Sequence, residues 1–442
     1  MTKPREFFRY ILLHVASMLG LSCYILADTF FVAQSLGADG LAALNLAIPV
    51  YSLINGSGLM LGTGGAVRYA VCCGRGNRDE AAQALYHTLL LAIPLCVVFL
   101  IAGGFFSGDV ALLLGAQGNL YPMAQVYIQC LLLFSPAFLL NQVMGAVIRN
   151  DGAPQLATVA MLSGSFSNII LDMVFLFPLG MGMFGAVLAT CLAPIISLSI
   201  LSLHRRSLRR RHHPWRWENR RMQWSVWRVV FTTGLPAFFT EISSGVVILV
   251  FNFLFLGLLG SVGVAAYGVI ANLSLVACAM MTGVAQGMQP LVSRAWGRED
   301  RHDMQRVLRW SLITVLSLAV AITVGLCAGA APVVQAFDTE GNRALQDIAT
   351  AGLPLYAVGL PAAGINIVLA MFFAARETPV PAQGITLLRG LIFIIPLAWL
   401  MSVCWQAMGV WLSFPAAEGL TLLVAAFWYH REKENNPIWY EG

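Results

Sequence analysis

Four acidic side chains lie well inside long apolar segments of this sequence: Asp28, Asp172, Glu241 and Glu418. If these segments cross a membrane, each carboxyl group at a helix centre costs about 2.5–3.5 kcal/mol to insert, so an unpaired structural use is unfavourable. A carboxyl group in a medium of low dielectric constant is suited to exchange a proton or to bind Na⁺. Either event changes the charge of the site and can be coupled to a second process.

Asp172 has polar residues around it in the sequence pattern. Asn168 lies four residues earlier, on the same face of a helix. The first apolar segment brings Asp28 to a comparable depth, and the sixth brings Thr190 near its middle. Two carboxylates, an amide oxygen and a hydroxyl form a cluster of hard oxygen ligands, which suits a monovalent cation such as Na⁺ or shared protons. The alternative is that Asp172 only caps or hydrogen-bonds a broken helix near Pro178.

The composition requires a membrane protein. Of the 442 residues, 58% are hydrophobic and only 11% charged, and the mean hydropathy is +0.76, whereas a soluble domain is nearer a quarter charged. Twelve segments are long and apolar enough to span a bilayer. The first six predicted spans are 8–33, 42–66, 85–106, 122–148, 155–179 and 182–203. The second six are 226–257, 263–288, 309–329, 350–374, 382–403 and 409–428.

The second half of the chain repeats landmarks of the first. Leu36-Gly37 recurs as Leu259-Gly260, and Met183-Phe184-Gly185-Ala186-Val187 recurs as Ala407-Met408-Gly409-Val410-Trp411. A doubled set of six helices is typical of secondary transporters. The predicted fold is an all-α polytopic membrane protein with twelve transmembrane helices in two six-helix bundles, related by a pseudo-two-fold axis along the membrane normal. The predicted parts are an N-terminal lobe (1–203), a basic cytoplasmic linker (204–223), a C-terminal lobe (224–430) and a cytoplasmic tail (431–442).

The positions of Lys and Arg predict the orientation. With the N-terminus inside, nearly all of them fall on cytoplasmic segments, and the outer loops hold only Arg343. By the positive-inside rule both termini are cytoplasmic. The formal net charge of +5 then needs no nucleic-acid partner; the expected surroundings are membrane lipid.

Several function classes are excluded by what the chain lacks. Its only lysines are Lys3 and Lys433, so it carries no ATPase motif of the GxxxxGK[ST] type, and the glycines in 62–65 are better explained by close helix packing. Uphill transport would need an ion gradient or a partner chain. The intramembrane histidines His14 and His87 are isolated and no nucleophile–base pair is apparent, so we expect neither an enzyme nor a cofactor.

At these residues the chain resembles the multidrug and toxic compound extrusion (MATE) family. The matching segments are Ala27-Asp28-Thr29-Phe30-Phe31, Asn168-Ile-Ile-Leu-Asp172 with Gly182, Gly185-Ala186 and Ala189-Thr190, and, in the second half, Gly283, Gln286-Gly287, Gln289-Pro290 and Gly297. The likeness covers essentially the whole chain. It implies two six-helix bundles around a cavity that opens alternately to the two sides, and export of lipophilic organic cations driven by entry of H⁺ or Na⁺ into the cell.

The resemblance also implies site residues. The family's cation-site positions in the N-terminal lobe fall on Asp28, Asn168, Asp172 and Thr190, with Asn141 as a looser match. One branch of the family pairs the acid at Glu241 with an Asp in the tenth helix, but here that helix has no acid and Asn366 is its clearest polar residue. This departure favours the N-terminal lobe for ion coupling.

The candidate residues of a substrate cavity are less specific: Glu241, Gln286, Gln289, Arg389 and Glu418. Glu241 would either attract a cationic substrate or simply pack against Ser243 or Ser244. Arg389 and Glu418 would either pair with each other as a buried structural ion pair, or Arg389 would lie near the inner end of its helix and extend its charged group to the membrane surface.

The expected function is that of an ion-coupled exporter of small organic cations in a prokaryotic cytoplasmic membrane. The alternative on the same fold is a flippase for a lipid-linked precursor. Cationic groups would suit an anionic lipid-linked sugar, but the membrane interior of this chain is rich in acids and Arg389 is the main exception, which favours cationic substrates.

Overall fold

A computed structural model describes residues 1–118, 120–204, 223–337 and 342–435. Within these ranges the regular secondary structure is helical. The helices of the first half are α1 (Pro4–Gly37), α2 (Asp39–Gly74), α3 (Arg78–Phe105), α4 (Ser107–Leu113), α5 (Leu120–Leu133), α6 (Ser135–Asn150), α7 (Pro154–Leu176) and α8 (Gly182–Leu201).

The helices of the second half are α9 (Trp224–Gly297), α10 (Arg301–Ala328), α11 (Ala330–Phe337), α12 (Arg343–Ala357), α13 (Leu360–Ala375), α14 (Pro379–Leu387) and α15 (Ile394–Asn435), with a π-helical turn at Leu388–Ile392 between the last two.

The helix breaks confirm the sequence repeat. Gly37 (φ 66°, ψ −155°) separates α1 from α2, and Gly260 (φ 67°, ψ −158°) breaks α9 in the same conformation. Only glycine adopts this region without strain, which is why the dipeptide Leu-Gly marks both positions. Two bent helix pairs also match, since α5 with α6 bends by 48° and α12 with α13 by 45°. In each pair a proline, Pro136 or Pro361, lies in the first turn of the second helix, where it needs no hydrogen-bonded N–H.

The number of spans agrees with the sequence. Over the described residues, eight helices are long and apolar enough to cross a membrane, and each bent pair adds one. Two of these helical segments, Trp224–Gly297 and Pro379–Glu432, are longer than a single span and contain internal breaks, at Gly260 and at Trp405–Gln406. Division at these breaks gives the twelve predicted spans.

The described residues form two compact units. The N-terminal unit comprises Ala16–Ile242 with Ser293–Arg298, and the C-terminal unit comprises Met1–Val15, Ser243–Val292 and Glu299–Gly442. The predicted lobe limits at 203 and 224 stay a prediction. The basic linker lies outside the described residues except for its two ends, and the last seven residues of the predicted tail lie outside them as well.

Close approach of helices in the N-terminal unit depends on the glycines that the sequence assigned to packing. A Cβ atom on Gly62 would lie 2.8 Å from the carbonyl oxygen of Gln142, and one on Gly64 would lie 1.9 Å from that of Val230. Gly234 meets the carbonyl oxygen of Met60 at 1.9 Å in the same way. These contacts bring α2 against α6 and against the first turns of α9, and so place their polar side chains within reach of each other.

Candidate functional site

Asp28 of α1 and Asp172 of α7 lie close enough in the N-terminal unit for their carboxyl groups to interact directly. Asp28 is 8% exposed and Asp172 is fully buried. One carboxylate oxygen of each, Oδ1 in both cases, is buried and accepts no hydrogen bond from the described chain. Two adjacent buried carboxyl groups cannot both carry a charge at low cost, so the pair is built to hold a proton or a cation.

Asn168 and Thr190 complete this cluster, as the sequence predicts. In the orientation that satisfies both of its neighbours, Asn168 donates from Nδ2 to Asp172 Oδ2 at 3.2 Å and accepts from the backbone N–H of Thr190 at 3.2 Å. The Thr190 hydroxyl donates to the carbonyl oxygen of Ala186 at 3.2 Å, so its lone pairs stay available as an acceptor. The contact between α7 and α8 therefore fixes the oxygen ligands next to the acids.

The alternative role for Asp172, closure of the helix near Pro178, is not what the structure shows. The end of α7 is closed by main-chain hydrogen bonds, from the N–H of Leu179 to the carbonyl of Val174 and from that of Met181 to Phe175. The side chain of Asp172 points to the cluster instead.

Tyr127 of α5 is a member of the cluster that sequence reasoning missed. Its hydroxyl group lies beside Thr190 and within electrostatic range of both acids. The side chain is 4% exposed, so it closes the cluster with a hydroxyl that can donate to or accept from a bound ligand.

A second polar group, also absent from the sequence analysis, extends from the cluster toward Glu241. The hydroxyl of Tyr24 lies 2.9 Å from that of Tyr51. Tyr24 is within electrostatic range of Asp28, and Tyr51 is within range of both Asp28 and Glu241. The two phenols are therefore near the acid pair, and Tyr51 is also near Glu241, the third acid that the sequence places inside an apolar span of this unit.

Glu241 accepts a hydrogen bond from a side chain of α2, which in turn accepts one from a side chain of α6. Asn55 of α2 donates from Nδ2 to Glu241 Oε1 at 3.1 Å, and Gln142 of α6 donates to Asn55 Oδ1 at 2.6 Å. The hydroxyl of Ser243 has no partner among the described residues. The other oxygen of Glu241, Oε2, is not engaged by these amides and can accept from a ligand.

Asn141 makes no hydrogen bond to the cluster among the described residues, and its place among the coupling residues stays a prediction. Its amide oxygen is buried without a partner in the described chain, and no hydrogen bond joins it to Asp28, Asn168, Asp172 or Thr190. The neighbouring residue, Gln142, is the one whose side chain enters the polar network.

The other candidate residues belong to the C-terminal unit. Arg389 and Glu418 form the expected ion pair, with Nη2 of the guanidinium 2.6 Å from Oε1 of the carboxylate. Asn366 of α13 donates to Glu418 Oε2 at 2.8 Å. Gln286 and Gln289 lie in the second part of α9, where Gly283 and Gly287 pack on the first turns of α1.

The oxygen cluster around Asp28 and Asp172 can take up one proton between the carboxyl groups, or one Na⁺ ion with the amide and hydroxyl oxygens as further ligands. Across the described ranges, no group of three or more His, Cys, Asp and Glu side chains comes together that could hold a metal ion.

Two stretches of the chain, residues 14–174 and 236–400, match the model of the MatE family. The matches begin 222 residues apart, close to the spacing of Gly37 and Gly260. The two matched stretches therefore correspond to two copies of one repeated unit.

Similar proteins cover nearly the whole chain. Multidrug export protein MepA of Staphylococcus aureus (strain MRSA252) is 23% identical over 413 residues, which are 91% of this chain and 88% of that protein. A protein named FAD transporter, from Shewanella oneidensis, is 25% identical over 440 residues, 97% of this chain and 93% of the relative.

The fold is shared with solved structures. One, described as the outward-facing conformation of a multidrug resistance MATE family transporter of the MOP superfamily, matches with a TM-score of 0.90 at 20% identity, over 97% of this chain and 96% of that one. This likeness confirms the predicted all-α polytopic membrane fold.

Proposed function

This chain belongs to the MatE family of membrane transporters, and we propose that it is a cation-coupled antiporter that exports lipophilic organic cations across the bacterial cytoplasmic membrane. The observation that carries the proposal is the buried pair of Asp28 and Asp172, each with a carboxylate oxygen that no described group satisfies. Such a pair is too costly in a membrane helix to serve packing alone. MepA, named a multidrug export protein, supports the substrate class.

In the proposed cycle, H⁺ or Na⁺ enters from outside and binds the cluster of Asp28, Asn168, Asp172 and Thr190. The ion neutralises the acid pair, and this loss of negative charge weakens the attraction for a cationic substrate in the same unit, which leaves outward. In the inward-open state the ion is released to the cytoplasm and substrate binds again. Coupling requires only that ion and substrate bind the two states with different affinities.

Glu241 is the proposed contact of the substrate's positive charge. Its carboxylate is partly exposed and keeps Oε2 free of the Asn55 amide. A lipophilic cation placed against a carboxylate in low dielectric is held strongly. Tyr51 is within electrostatic range of both Glu241 and Asp28 and contacts Tyr24, so in the proposed cycle the two phenols let one acid respond to the charge of the other.

The proposal is tested by transport of rhodamine 6G, a fluorescent lipophilic cation, in proteoliposomes with H⁺ and Na⁺ gradients imposed separately. We expect uphill movement of rhodamine 6G under only one of the two gradients, which identifies the coupling ion. This uphill movement should be lost in Asp172→Asn. The matched control is Asp109→Asn, which makes the same chemical change at an exposed residue of the short helix α4. Full activity of Asp172→Asn at equal protein level would contradict the assignment of the coupling site. Absence of movement under both gradients would favour the flippase alternative, with a lipid-linked substrate.

A further inference from the structure

The carboxylate of Glu418, in the C-terminal unit, is saturated with hydrogen-bond donors. Oε1 accepts from Arg389 Nη2 at 2.6 Å and from Nε at 3.1 Å, while Oε2 accepts from Asn366 Nδ2 at 2.8 Å and from Arg389 Nε at 3.3 Å. Glu418 is 2% exposed. A cation would have to displace the guanidinium to reach either oxygen, so this acid is not available as a cation ligand.

Arg389 itself has donors left over. Nε and Nη2 face Glu418, whereas Nη1 donates to no group of the described chain. The side chain is 14% exposed and Nη1 is not among its buried atoms. A guanidinium presents five N–H donors in a planar fork, so the face directed away from Glu418 is a donor edge that only an acceptor can satisfy.

The backbone around Arg389 has an irregular helical turn and a close packing contact. The residue lies in the π-helical turn Leu388–Ile392, a local widening that is frequent at functional sites. At Gly390 a Cβ atom would lie 2.6 Å from Cβ and Oγ of Ser243. The glycine therefore lets this turn approach α9 closely, and it brings the Ser243 hydroxyl beside the guanidinium's own turn.

Two further polar atoms near the pair lack partners. The amide oxygen of Asn366 and the hydroxyl of Ser243 are both buried without a hydrogen bond among the described residues, and their side chains are 0% and 3% exposed. Such orphaned groups are costly in a protein interior unless a ligand or water satisfies them. Asn366 shares the Glu418 carboxylate with Arg389, and Ser243 packs on the turn that carries Arg389, so both unsatisfied atoms belong to the surroundings of the ion pair.

We propose that Arg389, oriented by Glu418, binds an anionic oxygen group of a ligand, a carboxylate or a phosphate. The ion pair is neutral as a whole, and the other groups that act on Arg389 electrostatically, Cys278 and Tyr356, are uncharged residues. A simple anion would leave a net negative charge in low dielectric, which is unfavourable. A ligand that also carries a positive charge avoids this cost, so the site selects zwitterions. The source is either a transported organic cation that bears a carboxylate, which rests on the function proposed above, or the phosphate of a lipid headgroup.

The test compares rhodamine 6G, an ethyl ester with one positive charge, with its free acid rhodamine 19, which carries a carboxylate on the same ring system. Dissociation constants are measured by fluorescence anisotropy with the full chain in detergent. In Arg389→Gln/Glu418→Gln, we expect the affinity for the free acid to fall about tenfold relative to the affinity for the ester. The reason is the loss of a charge-assisted hydrogen bond to the carboxylate. Glu418→Gln alone keeps the guanidinium and removes its competitor, so it shifts the ratio in favour of the free acid. Arg389→Lys keeps a charge but loses the planar fork, and it gives an intermediate shift.

A second measurement identifies a lipid ligand. The midpoint of thermal unfolding is recorded with and without added phosphatidylethanolamine, a zwitterionic phospholipid, for wild type and the doubly neutral variant. A rise in the wild type that is absent in the variant, with an unchanged rhodamine ratio, assigns the site to a lipid phosphate. If neither the ratio nor the lipid response depends on Arg389, the inference is wrong. Uphill transport of rhodamine 6G by the wild type is independent of this result, so failure of this inference and failure of the antiport proposal are distinguishable.

Discussion

The hydroxyl groups of Tyr24 and Tyr51 lie 2.9 Å apart, near two acidic groups that the sequence places on separate helices. One is Asp28, which interacts with Asp172, and the other is Glu241. Because the phenols donate and accept, the pair can reorganise when the charge of either acid changes. We therefore expect the two phenols to transmit a change of charge between the proposed ion site and the proposed substrate contact.

Removal of either phenol hydroxyl should weaken this connection to the same degree. In Tyr24→Phe or Tyr51→Phe, the hydroxyl left behind loses its buried partner, and we expect each variant to lose about 1–3 kcal/mol of stability. The double variant Tyr24→Phe/Tyr51→Phe should lose less than the sum of the single changes, since no hydroxyl is left unpaired. Thermal unfolding and the rate of uphill rhodamine 6G transport provide the two readouts.

The control for the phenols is Tyr121→Phe in α5, whose hydroxyl lies beside Gly108. It removes the same atom elsewhere in the N-terminal unit and should leave the coupling of transport to the gradient intact. Strict additivity of the two changes at Tyr24 and Tyr51 would show that the hydroxyls act separately.

Asn168 should tune the affinity of the ion site. Asn168→Leu keeps the approximate volume but removes the donor to Asp172 and the acceptor for the Thr190 N–H. We expect the concentration of coupling ion that gives half-maximal transport to rise about ten- to a hundredfold, because one hydrogen bond to a charged group is worth roughly 1.5–3 kcal/mol. Asn141→Leu is the comparison, since the Asn141 side chain makes no hydrogen bond to the cluster. If Asn141→Leu raises the half-maximal ion concentration as much as Asn168→Leu does, the proposed composition of the cluster is wrong.

The sequence predicts those parts of the site that consist of residue types rare in apolar spans or of residues spaced on one face of a helix. Acids are uncommon in apolar spans, so Asp28, Asp172 and Glu241 can be identified as candidates from the sequence. The four-residue interval between Asn168 and Asp172 places both on one helix face. The Arg389–Glu418 pair remained one of several alternatives, because 29 residues and a helix break separate the two and only the packed helices show their geometry.

The residues that sequence reasoning missed are those defined by tertiary packing. Tyr24, Tyr51 and Tyr127 are three of eleven tyrosines in a chain rich in aromatic residues, and nothing in their spacing distinguishes them. The group of Asn55, Gln142 and Glu241 draws on three helices, and it depends on the close crossing at Gly62 and Gly64. The choice between Asn141 and Gln142 is a matter of helix rotation, which hydropathy does not determine.

The repeated break at Gly260 gives a prediction that is independent of function. A Cβ atom there would meet nothing within 4 Å, so the conformation alone opposes a side chain. We expect Gly260→Ala to lower stability by about 1–3 kcal/mol, the cost of a non-glycine residue in this region. Gly257→Ala, three residues earlier in helical conformation with equally open space, should be neutral or stabilising by about 0.4–1 kcal/mol. Thermal unfolding of the two variants side by side measures the difference, and equal midpoints would contradict the assigned backbone at Gly260.

Arg389 and Glu418 should stabilise the C-terminal unit only as a pair. Arg389→Gln leaves a buried carboxylate with Asn366 as its remaining donor, and we expect a loss of about 3–5 kcal/mol. Arg389→Gln/Glu418→Gln removes both charges and keeps amides that can hydrogen-bond, so its stability should return most of the way to that of the wild type. The midpoint of thermal unfolding, read for the single and double variants in one detergent, gives the coupling free energy between Arg389 and Glu418.

The control pair is Arg68 and Glu80, which lie 3.8 Å apart with exposures of 20% and 45%. Their neutralisation should cost at most about 1 kcal/mol, because solvent screens such a pair. A double variant at Arg389 and Glu418 that is no more stable than Arg389→Gln would mean that the carboxylate is not the source of the loss.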